Sequence, residues 1–353
     1  MGNYPDQINH QKVLNPVEIV AVGMLTSIGI NFKMTAASIN AGISAFNESS
    51  ILNRHFNPMV TAWVPDDALA ELDEELKNLG LTTRQQRLLK LATNPLKQVT
   101  EKISKPVPLI LCGPEKLPGR RSIVSDKFLK QLLIQTKSPI DLDNSYVLPY
   151  GRSAGFYALE SAMILLETGH HEQVIIGGVD SYLDLQLLAT LDSEDRVQAE
   201  GIMDAFIPAE AAAFILVKRA QDNNNIKIYP PGIADEPGHR YSQEPYRGEG
   251  LSLAVKESIS KSPAKKIKTV FASFNGENFG AKEWGVAAIR NHQYIDVDSN
   301  IIHPSDCYGD IGAATAPVLI TLAYMGINKN TYQKPALVWS SSEMQQRASV
   351  YIG

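Results

Sequence analysis

Residues 147–184 have the layout of a turn that presents a catalytic nucleophile at the start of a helix. They read VLPYGRSAGFYALESAMILLETGHHEQVIIGGVDSYLD, which is an apolar strand, a tight turn, a helix of small residues and a second buried strand. A thiol in such a turn gains nucleophilic character because the helix N-terminus lowers its pKa. The turn instead holds Arg152, whose guanidinium stays protonated and offers no lone pair for attack.

Other side chains could also do chemistry, but each has a simpler structural interpretation. Ser153 is the obvious substitute nucleophile, yet no histidine is placed to activate it, and serine is a common helix N-cap. Cys307 follows His303 by four residues, and a buried, unused thiol is the simpler interpretation of that pair. His170 and His171 follow a helix C-terminus, where imidazolium complements the helix dipole. We therefore expect no metal site and no cofactor.

The composition excludes several classes of function. With 44% hydrophobic and 20% charged residues, the 353-residue chain is typical of a globular protein, and its net charge of -5 gives no electrostatic case for nucleic acid. No apolar run reaches the roughly 18 residues of a membrane span, and residues 1–16 lack the apolar core of a signal peptide. Two cysteines, Cys112 and Cys307, fit buried thiols in a reducing compartment. These features predict a cytoplasmic protein.

Short apolar segments alternate with helical segments along the chain, which predicts an α/β fold. This alternation is typical of mainly parallel sheets covered by helices on both faces. The predicted strands are 18–23, 107–112, 145–150, 174–177, 211–217, 268–274, 294–297, 336–340 and 349–352. The predicted helices are 31–41, 153–168, 183–188, 249–260, 281–291 and 312–324.

The rhythm of strands and helices divides the chain into a flexible tail, 1–16, and two similar halves, 17–222 and 223–353. The boundary falls in the polar stretch RAQDNNN. The first half contains a more polar insertion at about 46–105. Within it, DDALAELDEELKNLG (66–80) predicts a solvated amphipathic helix, and 82–103 predicts a second helix interrupted at Pro95.

Six segments together resemble the thiolase-like superfamily and, within it, the β-ketoacyl synthases that elongate fatty acids and polyketides. The matching segments are IVAVGMLTSIGINFKMTAASINAGISAF, GRSAGFYALESA, HHEQVIIGGVDSYLD, GIMDAFIPAEAAAFILVKR, FASFNGENFGAKEWG and HPSDCYGDIGAATAPVLITLAY. The resemblance covers most of 17–353. It implies a duplicated αβαβα layered fold with two mixed or parallel sheets and helices between and outside them.

The positions that carry the family's chemistry all differ in this chain. Matching the motifs residue by residue puts Arg152 in the place of the nucleophilic cysteine and Pro304 in that of the lysine. The first histidine becomes Asn275 and the second becomes Gly309. In the family's glycine-rich segment, alanines now flank Glu210.

These changes remove the parts that condensation needs. A thiolate must accept the acyl group, and two imidazole nitrogens must stabilise the enolate or oxyanion that forms when malonyl thioester loses carbon dioxide. Losing one such donor costs about 100-fold in rate. Members that lack only the cysteine still decarboxylate because they keep the histidines, whereas this chain has lost both. We expect no catalytic residues, and the resemblance therefore implies a pseudoenzyme.

Arg152 should form an internal ion pair. In the family this position lies at the base of a buried pocket beside a helix N-terminus, where a lone cation is unfavourable. The candidate partners are Glu277, Asp310 and Glu210. We therefore expect Arg152 to plug a vestigial pocket, whose residues would be Arg152, Ser153, Asn275, Glu277, Gly309, Asp310 and Glu210.

Three functions remain open from the sequence. The first is a non-catalytic scaffold or adaptor subunit, either a partner of an active ketosynthase or an adaptor or chaperone for a bacterial secretion effector. The second is a residual β-ketoacyl synthase or acyltransferase that uses Ser153. The third is an acyl-chain or acyl carrier protein binder without turnover. The resemblance also implies a homodimer or heterodimer through the strand 145–150, from Ser145 to Tyr150.

Overall fold

The computed structural model describes residues 14–118, 123–221, 225–263 and 265–353. Residues 1–13 of the predicted tail and part of the predicted boundary between the halves lie outside these ranges. The strands in chain order are β1 Val17–Thr26, β2 Asn47–Leu52, β3 Pro58–Thr61, β4 Leu109–Cys112, β5 Tyr146–Leu148, β6 Gln173–Ser181, β7 Glu210–Arg219, β8 Gly232–Asp235, β9 Ile267–Ala272, β10 Ile295–Ile302, β11 Ala336–Ser341 and β12 Gln346–Ile352. The helices are α1 Phe32–Asn40, α2 Glu74–Lys77, α3 Thr83–Thr100, α4 Asp126–Thr136, α5 Ala154–Glu167, α6 Leu185–Ser193, α7 Glu249–Ser260, α8 Asn278–Arg290, α9 Ser305–Tyr308 and α10 Thr315–Asn328.

Two five-stranded mixed sheets repeat one pattern of strand pairing. The first has the order β5-β4-β6-β7-β1 and the second has the order β10-β9-β11-β12-β8. In each sheet the first three strands pair in parallel, and the last two join antiparallel. The predicted α/β fold with two mixed sheets is confirmed. The strands were expected to pair mainly in parallel, whereas the two sheets contain equal numbers of parallel and antiparallel pairings.

Helices form three layers around the sheets. Between the sheets lie α5 and α10, which are apolar on nearly every side and pack into one core with both sheets. The helices cross closely because Gly155 has no side chain, and a Cβ there would come within 2.7 Å of the Cβ of Ala316. The outer layers are α3 and α4 on the first sheet and α7 and α8 on the second.

Two predictions about the segment 46–105 are wrong. The helix α3 runs through Pro95 without interruption and packs its apolar side on β1 and β7, so part of the predicted insertion belongs to the core. The helix predicted over 66–80 is reduced to one 3-10 turn and the short α2. Gln135 on α4 explains this break, because its amide accepts the N–H of Asp73 and donates to the carbonyl of Glu71.

Within the described ranges, no helix has the length and apolar character that crossing a bilayer requires.

Candidate functional site

Arg152 lies at the point where the two central helices begin. A 3-10 turn, Gly151–Ser153, leads into α5, and a second such turn, Gly312–Ala314, leads into α10. The two turns pack against each other between the sheets. Only 8% of the Arg152 surface is exposed, so its charge must be balanced by protein groups.

Two buried carboxylates hold the Arg152 guanidinium. Its Nε donates to Oδ2 of Asp310 at 2.9 Å, its Nη2 also donates to that oxygen, and its Nη1 donates to Oε1 of Glu343 at 2.8 Å. Asp310 is fixed in turn by the backbone N–H of Gly312 at 2.9 Å. Arg152 therefore has the ion pair expected from the sequence with Asp310, and a second one with Glu343.

The ion pairs extend into a network of six charges, which we call the charged network. Glu343 also accepts from Nη2 of Arg196 at 2.8 Å and lies 3.1 Å from Nε of Arg240. Glu277 accepts two bonds from Arg196, at 2.7 and 2.8 Å, and lies 3.0 Å from Nη2 of Arg240. The members of the charged network are Arg152, Arg196, Arg240, Glu277, Asp310 and Glu343. These three cations and three anions are buried or largely buried, and a fourth carboxylate, the partly exposed Glu194, lies 3.5 Å from Nη1 of Arg196.

The electrostatics favour the ionised forms of Arg152, Asp310 and Glu343. Burial alone would raise the pKa of Asp310, but the charge of Arg152 and its hydrogen bonds outweigh burial and lower that pKa below its ordinary value. The pKa of Glu343 is likewise lowered, because Arg152, Arg196 and Arg240 together overcome burial. Burial opposes the charge of Arg152, yet Asp310 and other neighbours raise its pKa well above the ordinary value.

Asn275 and Gly309 occupy the positions where the resemblance places two histidines. The Nδ2 of Asn275 donates to Glu277 at 2.9 Å and to Asp310 at 3.0 Å, so both amide hydrogens are used. Gly309 has a φ of +78°, and a Cβ added there would lie 2.6 Å from the carbonyl oxygen of Ile207. A histidine at residue 309 would not fit this backbone.

Ser153 is buried and bonded to backbone. Its Oγ donates to the carbonyl of Ser340 at 3.0 Å, with the carbonyl of Gln346 at 3.2 Å, and none of its surface is exposed. The side chain makes no N-cap hydrogen bond, so the predicted capping role is wrong. The hydroxyl is directed to the second sheet, and the N–H of Ser153 donates to Oγ of Ser342 in the same region at 3.0 Å.

Glu210 and Glu277 are not partners of Arg152. Glu210 lies at the start of β7, where it accepts from Arg87, Ser181 and the N–H of Val64, and thereby ties α3 to the first sheet. Of the three predicted partners, Asp310 alone contacts Arg152 among the described residues. Arg152, Asn275, Glu277 and Asp310 do lie together, whereas Glu210 belongs to a separate cluster.

His303 and Cys307 do not form a catalytic couple. The Nδ1 of His303 lies 2.8 Å from Oδ2 of Asp306, and its ring contacts Phe274. Cys307 is buried, and burial followed by the charge of Asp306 raises the pKa of its thiol. No group of three or more metal-ligating side chains occurs within the ranges described.

Two small cavities adjoin Arg152. The larger, of about 30 Å³, is lined by Arg240, Glu283 and Trp339 among other residues, and the smaller, of about 10 Å³, by Asn275 and its neighbours. A water molecule needs roughly 10–15 Å³ of such space. The larger cavity can therefore hold about two or three water molecules and the smaller one at most one, and an acyl chain is far larger.

The sequence did not point to Glu343, Arg196 or Arg240. Glu343 belongs to the turn formed by residues 342–345, which joins β11 to β12. Arg347 holds this turn by donating to the carbonyls of Ser342, Met344 and Gln346. A single acidic residue in a polar turn between two buried strands was the only signal that the sequence carried.

Solved structures share this fold over nearly the whole chain. A ketosynthase (ApeO) in complex with its chain length factor (ApeC) from Xenorhabdus doucetiae has a TM-score of 0.75 at 16% identity, covering 96% of this chain and 98% of that one. The ishigamide ketosynthase/chain length factor has a TM-score of 0.76 at 12% identity, covering 96% and 99%. The ketosynthase from module 6 of the bacillaene synthase from Bacillus subtilis 168 has a TM-score of 0.75 at 12% identity, covering 96% and 72%.

Neither a protein-family model nor a curated protein matches the sequence. At 12–16% identity the structural likeness establishes the fold, which is the thiolase-like fold of ketosynthases.

Proposed function

We propose that this protein is a non-catalytic member of the thiolase-like fold that serves as a binding subunit for a protein partner. One observation carries the proposal. At the start of α5, where the resemblance places a nucleophile, the guanidinium of Arg152 is buried and is bonded to Asp310 and Glu343. The reacting position is thus filled by an ion pair that cannot attack an acyl group.

The surrounding groups support the same conclusion. The amide hydrogens of Asn275 are used by two carboxylates, and Gly309 has no side chain to stabilise an oxyanion. The alternative of a residual acyltransferase finds no support in the geometry of Ser153, whose Oγ contacts backbone carbonyls and has no base beside it among the described groups. The acyl-binding alternative needs a tunnel, and the cavities at Arg152 are water-sized.

The edge of the first sheet is the surface that we propose for the partner. In the described chain β5 pairs with β4 on one side, and its other side is not covered by a strand. Tyr146 and Val147 on β5 are partly exposed. A second chain could pair there across a two-fold axis and extend the sheet, which would cover the unpaired backbone groups.

We propose two alternative partners for this surface. The similar structures include a ketosynthase in complex with its chain length factor and an acyl-carrier protein in complex with its ketosynthase. We propose first a homodimer or a heterodimer with an active ketosynthase in cytoplasmic polyketide or fatty acid synthesis, with an acyl carrier protein as a further partner. An adaptor for a secreted bacterial effector is the second setting.

Matched substitutions at two sheet edges test the binding surface. Val147→Lys on β5 should abolish self-association in light scattering, or the capture of the partner from native cells, because lysine charges block strand pairing. Val297→Lys on β10 is the control, since Val297 is 94% exposed at the edge of the second sheet. A folded Val147→Lys protein that keeps the wild-type assembly would contradict the proposed interface.

A further inference from the structure

Arg240 is the member of the charged network that reaches it from the surface. It belongs to residues 236–248, which follow β8 and contain no helix or strand. Its side chain is 26% exposed, against 9% for the side chain of Arg152 and 5% for that of Arg196. The side chain of Arg240 therefore extends from the solvent to the buried carboxylates.

Three side chains surround the Arg240 guanidinium. Its Nη2 lies 3.0 Å from Oε1 of Glu277, and its Nε lies 3.1 Å from Oε2 of Glu343. Its Cζ lies 5.2 Å from the centre of the Phe279 ring, which is within the range of a cation–π contact. Two carboxylates and an aromatic face suit a planar guanidinium better than the point charge of an ammonium group.

Arg240 does not satisfy these groups completely. Oε2 of Glu343 is buried and accepts no hydrogen bond from any described group, although Nε of Arg240 is only 3.1 Å away. The contact is therefore an ion pair whose N–H is poorly aligned. A buried carboxylate oxygen without a hydrogen bond is unfavourable. The larger cavity, which Arg240, Glu277, Phe279 and Glu343 help to line, leaves space for a guanidinium group with a better alignment.

The segment that carries Arg240 is fixed at both ends without the arginine side chain. Oε1 of Glu236 accepts the N–H of Gly238 at 3.3 Å, and its Oε2 accepts the N–H of Gly250 at 3.0 Å. Glu236 itself is fully buried. We therefore expect the backbone to keep its course when the side chain of Arg240 is removed or displaced.

We propose that Glu277, Glu343 and Phe279 form a guanidinium-binding pocket, which takes the arginine side chain of another protein and which Arg240 fills in the free chain. Arg240 competes with the external arginine, and the exchange of one guanidinium for another leaves neither carboxylate unpaired. The proposal does not require pairing at the β5 edge, so it can fail while the proposed function stands.

Binding of methylguanidinium to Arg240→Ala tests the pocket, with the amide signals of Glu277 and Glu343 followed in an NMR titration. The wild type should bind this probe at least about tenfold more weakly than the variant, because Arg240 competes. Methylammonium should bind the variant about tenfold more weakly than methylguanidinium, because a point charge cannot bridge two carboxylates as a planar fork does. Arg54→Ala, which removes an exposed arginine elsewhere, is the control and should behave like the wild type.

A folded Arg240→Ala protein that does not bind methylguanidinium would overturn the proposal. Equal affinities of the wild type and Arg240→Ala would also overturn it, because the probe would then bind elsewhere. N-acetyl-arginine methylamide and free arginine separate the two sources of the guanidinium group. Equal binding of both to Arg240→Ala supports recognition of an arginine side chain, and failure of the blocked arginine to bind overturns it.

A measurement on the wild type covers the case in which Arg240→Ala does not fold. Amide hydrogen exchange of residues 237–248 is followed while N-acetyl-arginine methylamide is added. Faster exchange in this segment supports displacement of Arg240 by the external side chain. Unchanged exchange would contradict the proposed competition.

Discussion

The side chain of Arg152 has a structural role. Its guanidinium is buried at the start of α5 and is fixed from two directions by Asp310 and Glu343. A group held in this way has neither the lone pair nor the freedom that acyl transfer requires. The same ion pairs make the side chain important for stability.

Replacing Arg152 by alanine should destabilise the fold strongly. Arg152→Ala leaves two buried carboxylates short of a cation and should lower the free energy of unfolding by about 3–5 kcal/mol, measured by urea denaturation. Arg54→Ala is the control, because Arg54 pairs with Asp195 where the side chains are 43% and 53% exposed. That pair should contribute less than about 1 kcal/mol. Equal losses in the two variants would contradict a buried, stabilising network.

The sequence predicted part of this arrangement and could not predict the rest. A buried cation is unfavourable unless it is paired with an anion. Matching the sequence to the family's motifs placed Asp310 close to Arg152, so this ion pair could be predicted. Glu343, Arg196 and Arg240 lie in segments without a motif. They meet only because both sheets and the long segment after β8 converge on one point, which is a property of the tertiary structure.

Among the elements, α3 illustrates how tertiary packing overrides local preference. Pro95 removes one helical hydrogen bond, yet the helix continues because its apolar side is buried on the first sheet. The helix predicted over 66–80 does not form for the opposite reason, since Gln135 supplies hydrogen bonds that hold residues 71–73 outside a helix. Neither outcome is visible in the local sequence.

The close approach of β1 and α3 can be tested with a pair of glycines. A Cβ at Gly23 would lie 1.9 Å from the carbonyl oxygen of Pro95, so Gly23→Ala should destabilise the protein by about 1–3 kcal/mol in urea denaturation. Gly285, inside α8, has open space around its missing side chain, and Gly285→Ala should stabilise by about 0.5–1 kcal/mol. A harmless Gly23→Ala would show that the packing of α3 on β1 is looser than described.

In the molecule as a whole, two sheets with the same pairing pattern enclose α5 and α10, and the charged network lies where these helices begin. The network joins the sheets, since Arg152 and Arg196 follow strands of the first sheet while Glu277, Asp310 and Glu343 follow strands of the second. The fold could be predicted from the sequence because its motifs extend over most of the chain. The hairpin β2–β3 and the strand β8 were not predicted, because their short segments carry little periodicity. The helix α4 was also not predicted, although its apolar residues Phe128, Leu129 and Leu132 recur at helical spacing.

Intact-protein mass spectrometry after incubation with acyl and malonyl thioesters tests the central claim most directly. Because Arg152 and its ion pairs stand where the resemblance places a nucleophile, the account predicts an unmodified mass and no release of carbon dioxide from malonyl thioester. A stoichiometric acyl adduct on Ser153 that disappears in Ser153→Ala, or sustained decarboxylation by the purified chain, would contradict it.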